Sequence, residues 1–256
     1  MNYSSIAQVV RMEQEAQRVN KTNYRYLAKF FKSYFIVSMT QAFGDIPYSQ
    51  MMQSIEQNNF TDSSAVRPVY DKQKDIYLKV LSELKIAGDS LGSTSDAITG
   101  DLIYNGSITA WKKLINSFTL RVLMSLSKKE ADTDLNIKQR FNEIVTNPEK
   151  YPLINNNSEN GKLTYYDING NRYPYYNNNS MKTDYYLDSS FVDILQGFKD
   201  PRLFTYGQPA GTVNTSTIKD FSKYDGLVGS APLSYNTGKK GEARLHLLIV
   251  AMLTTY

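Results

Sequence analysis

Cysteine and histidine, the side chains that most often carry nucleophilic and metal chemistry, are almost missing from this chain. It has no cysteine and a single histidine, His246. Disulfides, thiolate metal sites and cysteine nucleophiles are therefore excluded. A Ser-His-Asp arrangement would have to use His246, which lies in an apolar stretch with no partner motif. Carboxylates are more plentiful. Asp71 and Asp75 stand one helical turn apart, and Asp184 and Asp188 bracket a Tyr-Tyr-Leu segment. A glycosidase needs two carboxylates facing each other across a sugar. Helix capping and solvation account better for these pairs. Asp167, Asn169 and Asn171 alternate like the start of a calcium loop, but Asn178 holds the place where that loop needs an acid. These residues read as a turn. Gly100, Gly106, Gly161 and Gly170 are isolated and form no phosphate-binding run. No metal and no cofactor are expected.

Tyrosine and asparagine are the residues with binding chemistry to spare. The chain has 20 tyrosines beside one tryptophan, and from about Tyr151 to Leu187 tyrosine and asparagine dominate. A tyrosine ring can stack on the apolar face of a sugar, while asparagine amides bond its hydroxyls. The candidate ligand-binding residues are Tyr165, Tyr166, Tyr175, Tyr176, Tyr185 and Tyr186. The competing account is that these rings anchor a long loop. Asn169-Gly170 could turn a small hairpin between Tyr165 and Tyr173.

The elements that must position these residues are helical. A long apolar helix runs from Thr22 or Asn23, as cap, to Phe43, with Leu27, Phe30, Phe31, Tyr34, Phe35, Val37 and Met39 on a broad stripe. Gly44 can take a positive φ and Pro47 cannot continue a helix, so the stop is abrupt. A first helix covers Ser5 to about Val19. A third starts near Asp71, with Asp71 and Asp75 in its first turns and Ile76, Val80, Leu84, Ala87 and Leu91 on one face. Ser107 caps a fourth, in which Trp111, Ile115, Phe118, Val122 and Leu126 recur at helical spacing. Arg121 flanks that stripe and is expected to bond a carboxylate or carbonyl inside the fold. Asp132, Thr133 or Asp134 begins a shorter helix through Val145. Asp188 or Ser189 caps a last one, Ser190 to Phe198, with Phe191, Ile194 and Leu195 buried, and Asp200-Pro201 ends it. The apolar stretches are too interrupted or too short to span a bilayer. A net charge of +4, scattered in pairs of lysines, does not argue for nucleic acid. The segment from Met1 to Ser4 has neither a basic start nor an apolar core, so no secretory signal is legible.

Four stretches in order resemble the SusD/RagB family of nutrient-binding outer-membrane lipoproteins. They are YFIVSMTQAFGDIPYSQ with its Phe43-Gly44-Asp45-Ile46-Pro47-Tyr48 turn, Val69 to Leu91, Gly100 to Ser127 around Trp111, and FKDPRLFTYGQP with Asp200, Pro201 and Arg202. These residues mark the scaffold. The resemblance implies a mainly α fold with tetratricopeptide-like helix pairs, long loops and at most a small hairpin. It also implies a surface-exposed lipoprotein that captures oligosaccharides, or peptides in some members, and delivers them to a TonB-dependent, SusC-like transporter without enzymatic activity. The organisation expected is a single partial domain over 1–256. It comprises a helical scaffold (1–148), a Tyr/Asn-rich loop region (149–187), a helix with loops (188–244) and an atypical tail (245–256). The tail and the lack of a lipidated cysteine lead to the expectation of an internal fragment with a truncated or frame-shifted end. An intracellular helical scaffold protein and a glycosidase are the alternatives from other classes.

Overall fold

The structure, a computed structural model, describes residues 3–57, 60–61, 66–174, 186–207, 209 and 219–238. It is mainly helical, and among the described residues there is no β-strand, only isolated bridges such as Ile46 with Asp71. The chain divides into two units, residues 1–161 and 162–256. The first holds α1 (Tyr3–Arg18), α2 (Thr22–Phe43), α3 (Gln73–Ser90), α4 (Ile108–Ser125) and α5 (Ile137–Val145). Each packs on the next in sequence. The second holds α6 (Ser189–Gly197) and short helices at Leu203–Tyr206 and Leu233–Gly238.

One apolar core fills the first unit. It joins Ile6 and Val10 of α1, Leu27, Phe30, Ile36 and Val37 of α2, Ile76, Val80 and Leu84 of α3, and Trp111, Ile115, Phe118 and Val122 of α4. Trp111 is only 2% exposed. Its indole meets Phe31 (5.6 Å), Phe30 (6.1 Å) and Tyr104 (5.2 Å) edge to face, the geometry that the ring quadrupoles prefer. The indole N–H donates to Asp101 Oδ2 at 2.7 Å. The same carboxylate gathers the N–H groups of Ile103, Tyr104 and Gly106, so one acid both satisfies the buried indole and closes the loop before α4. Gly88 lets α3 approach α4: a Cβ there would meet Asn116 Oδ1 at 2.9 Å. Arg121 does not bond inside the fold as expected. It is exposed, one position around the helix from buried Val122.

The turn after α2 sets where α3 begins. Gly44 takes φ +74° and ψ −118°, a region closed to residues that carry a Cβ. Its N–H donates to the Thr40 carbonyl at 2.9 Å, and its own carbonyl accepts from the Thr40 hydroxyl at 2.6 Å. Asp45 then meets the N-terminus of α3, where Oδ1 accepts the Gln73 N–H at 2.8 Å. Asp71 works in the opposite direction: its Oδ2 accepts from the N–H groups of Tyr48 (2.9 Å) and Ser49 (2.8 Å). The Pro47 carbonyl accepts from the Tyr3 hydroxyl at 2.9 Å, which ties the turn to α1. Phe43 points away from all this and is 73% exposed.

Three local cap assignments are corrected by these contacts. Asp71 lies outside α3 and clamps the preceding loop, while Asp75 does occupy the first turn. Thr22 and Asn23 lie inside α2. The Asn23 N–H is satisfied by Asp96 Oδ2 (3.0 Å), and its buried side chain bonds Gly92 N–H and the Asp96 carbonyl. Asp132 closes a turn upstream of α5 by accepting from Asp134 and Leu135 N–H, because short acidic side chains compete with the helix for nearby donors. Ser107 caps α4 as its sequence implies, accepting from Ala110 N–H. No helix among the described residues is long and apolar enough to cross a membrane.

Three measurements follow from this packing. Trp111→Ala should cost about 3–5 kcal/mol in urea unfolding, and a loss below about 1 kcal/mol would contradict the buried indole. Gly44→Val should cost about 1–3 kcal/mol; nothing lies within 4 Å of a Cβ built there, so the penalty is conformational. Burial pushes the Asp101 carboxyl up, but the hydrogen bonds from Gly106, Ile103, Trp111 and Tyr104 outweigh it and hold it below its ordinary value. Its contribution is therefore complete above the unfolded value of about 3.9 and is lost as pH falls through the lower folded value. An acid titration of stability should be shallower in Asp101→Asn, and an unchanged acid limb would refute this role.

Candidate functional site

Within the tyrosine- and asparagine-rich region, Tyr151 is buried in the core of the first unit, whereas residues 165–173 form an exposed turn in the second. Asn-Gly chemistry shapes it: Gly170 has φ +89°, Tyr166 N–H donates to the Asn171 carbonyl (3.0 Å), and Asn171 N–H donates to that of Ile168 (2.9 Å). The flanks do not continue into strands, so the turn stands without a hairpin. Tyr165 and Tyr166 are 39% and 57% exposed. The Tyr165 ring meets Tyr173 edge to face at 5.2 Å, which leaves Tyr166 the more open ring. Asp167 accepts from Arg172 Nε at 2.7 Å, so this carboxylate serves the turn. What the turn offers chemically is aromatic faces beside the exposed Asn169 and Asn171, a combination suited to a hydroxylated ring.

The other candidate tyrosines divide in two. Tyr175, Tyr176 and Tyr185 lie outside the described residues, as do Asp184, Asn178 and His246. Tyr186 is half-buried, next to Leu187 in the core of the second unit. That core joins Leu187, Val192, Leu195, Leu203 and Tyr224. The expected buried face of α6 is shifted. Leu195 is buried, but Phe191 and Ile194 are 40% and 58% exposed and Val192 is buried in their place. Asp188 caps the helix through Ser190 N–H (2.9 Å), and Val192 and Leu195, three residues apart, are the pair turned toward Leu203 and Tyr224.

Asp200, Pro201 and Arg202 form a local joint. Lys199 takes φ +50°, its N–H donates to the Gln196 carbonyl (3.0 Å), and the Asp200 N–H donates to that of Leu195 (2.8 Å). This is a Schellman ending with lysine where glycine is usual. The Arg202 guanidinium lies on the Asp200 carboxylate at 2.5–3.0 Å, and that contact holds Asp200 below its ordinary value. Arg202 is spent on this joint.

A concavity on the first unit was not legible in the sequence. A cleft of about 620 Å³ opens between α2, α3 and the turn after α2, lined among others by Lys32, Tyr48, Asp75, Lys79, Ser82 and Glu83. The available signal was the spacing of Asp75, Lys79, Ser82 and Glu83 on one polar face of a helix. Burial, and then the charges of Glu83, Asp71 and Glu13, push the Tyr48 hydroxyl pKa up, so it remains a neutral donor.

Solved structures share this architecture. A SusD homologue from Bacteroides fragilis is 36% identical with a TM-score of 0.75, over 95% of this chain and 51% of that one. An outer membrane protein from Bacteroides vulgatus, named as a candidate for nutrient binding, is 34% identical with a TM-score of 0.78, over 95% and 52%. A chitin-binding SusD homologue from Flavobacterium johnsoniae shares the fold at 17% identity and a TM-score of 0.69, over 96% and 48%. The chain thus spans about half the length of the solved structures it matches. No curated protein matches it. Residues 1–251 match the SusD-like family described as starch-binding and associating with the outer membrane, and the chain belongs to that family.

Proposed function

We propose that this chain is part of a cell-surface protein of the outer membrane that captures oligosaccharides and passes them to a TonB-dependent, SusC-like transporter. The observation that carries the reading is membership of a starch-binding family over residues 1–251. The exposed Tyr165–Tyr173 turn supplies the matching chemistry. The protein acts as a binder and not an enzyme. One carboxylate of each acid pair weighed for hydrolysis is committed elsewhere, Asp71 to the Tyr48 and Ser49 amides and Asp188 to the cap of α6. Attachment through a lipidated cysteine belongs to the same proposal.

Tyr165, Tyr166, Tyr175, Tyr176, Tyr185 and Tyr186 are the proposed contacts. Each stacked ring contributes about 0.5–1.5 kcal/mol, by analogy with aromatic pairs. Two or three rings then give weak capture, in roughly the micromolar to millimolar range, which suits a protein that must release its ligand. The test is alanine substitution at each tyrosine, with binding of maltohexaose and chitohexaose followed by calorimetry beside the melting temperature. At least one variant should bind about two- to tenfold more weakly with its melting temperature unchanged. If every loss of binding tracks a loss of stability, the tyrosines anchor the loop and do not hold sugar.

A further inference from the structure

We propose that the cleft between α2 and α3 is a second saccharide site, one that grips a neutral sugar unit by hydrogen bonds. The inference rests on the reading of the chain as a carbohydrate binder, but it concerns a different place, on the scaffold of the first unit. Its volume, about 620 Å³, lies within the roughly 300–1,000 Å³ of small-molecule sites.

The lining separates into groups that are already used and groups that are not. Glu83 takes the Lys29 ammonium at 2.6 Å, and Asp71 holds the Tyr48 and Ser49 amides. The side chains of Lys32, Asp75, Lys79, Ser82 and Tyr48 make no hydrogen bond to another described residue. They converge on one cleft from α2, from α3 and from the turn between them. Together they present ammonium and hydroxyl donors beside a carboxylate acceptor, and vicinal sugar hydroxyls both donate and accept. The backbone beneath them is rigid, since two packed helices and the Gly44–Tyr48 turn carry every group.

The ligand class follows from charge. Two lysines, Lys32 and Lys79, face three carboxylates, Asp71, Asp75 and Glu83, so the cleft has no surplus of positive charge for a sulfated or uronic glycan. The mode of binding follows from the ring. The Lys32 ammonium lies over Tyr48 at 5.7 Å from its centroid and occupies the face on which a sugar would stack. The cleft therefore binds through hydroxyls, whereas the tyrosine turn binds through faces.

The experiment uses the full chain with maltohexaose and chitohexaose as probes, and a sulfated glycan as comparison. Asp75→Asn, Lys79→Ala and the double variant touch exposed positions on α3 and should keep the melting temperature of the parent. Each single change should weaken binding of a neutral oligosaccharide about tenfold, as expected for a hydrogen bond to a charged group. Amide resonances of Tyr48, Ser49 and Ser82 should shift on addition of the neutral probe and not of the sulfated one. Unchanged affinity in the double variant, with binding lost in the tyrosine variants, overturns the cleft and leaves the proposed function standing. Binding of neither neutral probe by the parent chain overturns both. A stronger response to the sulfated glycan overturns the assignment to neutral sugars.

Discussion

The conformation of Gly44 is the constraint on which the first unit depends. A residue with a Cβ would resist φ +74° with ψ −118°, and without that angle Asp45 could not meet the first amide of α3. The bond from Gln73 N–H to Asp45 answers a donor that the helix cannot satisfy internally. Asp71 answers two donors on the other side of the same junction. The turn thus exchanges carboxylates with the next helix, and Tyr3 fastens it to α1 through the Pro47 carbonyl. Three helices meet at one glycine.

The same device recurs along the chain. Asp96 satisfies the Asn23 amide at the start of α2, and Asp101 collects three loop amides and the Trp111 indole. In each case a loop carboxylate serves backbone donors, and hydrogen bonds to the charged form hold Asp71, Asp96 and Asp101 low against the upward push of burial. Ion pairs between helices add to this. Lys29 reaches Glu83 on α3 and Glu13 on α1, and Lys85 reaches Glu143 on α5 and the Tyr151 hydroxyl. These pairs are partly exposed and so each is worth little. Their consequence is positional, because they settle which acids and cations remain free to meet a ligand.

Membership of a starch-binding family and the distribution of free polar groups bear on function together. Loops on a helical fold are where binding residues are commonly found. The exposed Tyr166 ring offers an aromatic face and the cleft around Tyr48 offers hydrogen-bonding groups, and the proposed sugar contacts rest on these two chemistries.

Spacing alone determined the long helices of the first unit, their order and most of its core. Trp111, Ile115, Phe118 and Val122 are buried where helical periodicity puts them, because a stripe of apolar residues has few places to go. The stop at Gly44 and the Ser107 cap were also legible, since each depends on residues adjacent in sequence. What only the tertiary structure decided is which carboxylate serves which helix. Asp71 and Asn23 look like local caps, yet donors and acceptors up to 73 residues apart pair instead, because packing brings a distant partner nearer than the local one. The rotation of α6 that exposes Phe191 and Ile194, the outward turn of Arg121 and the cleft around Tyr48 have the same origin. Each is set by the neighbour an element meets, and periodicity says that a face exists without saying what covers it.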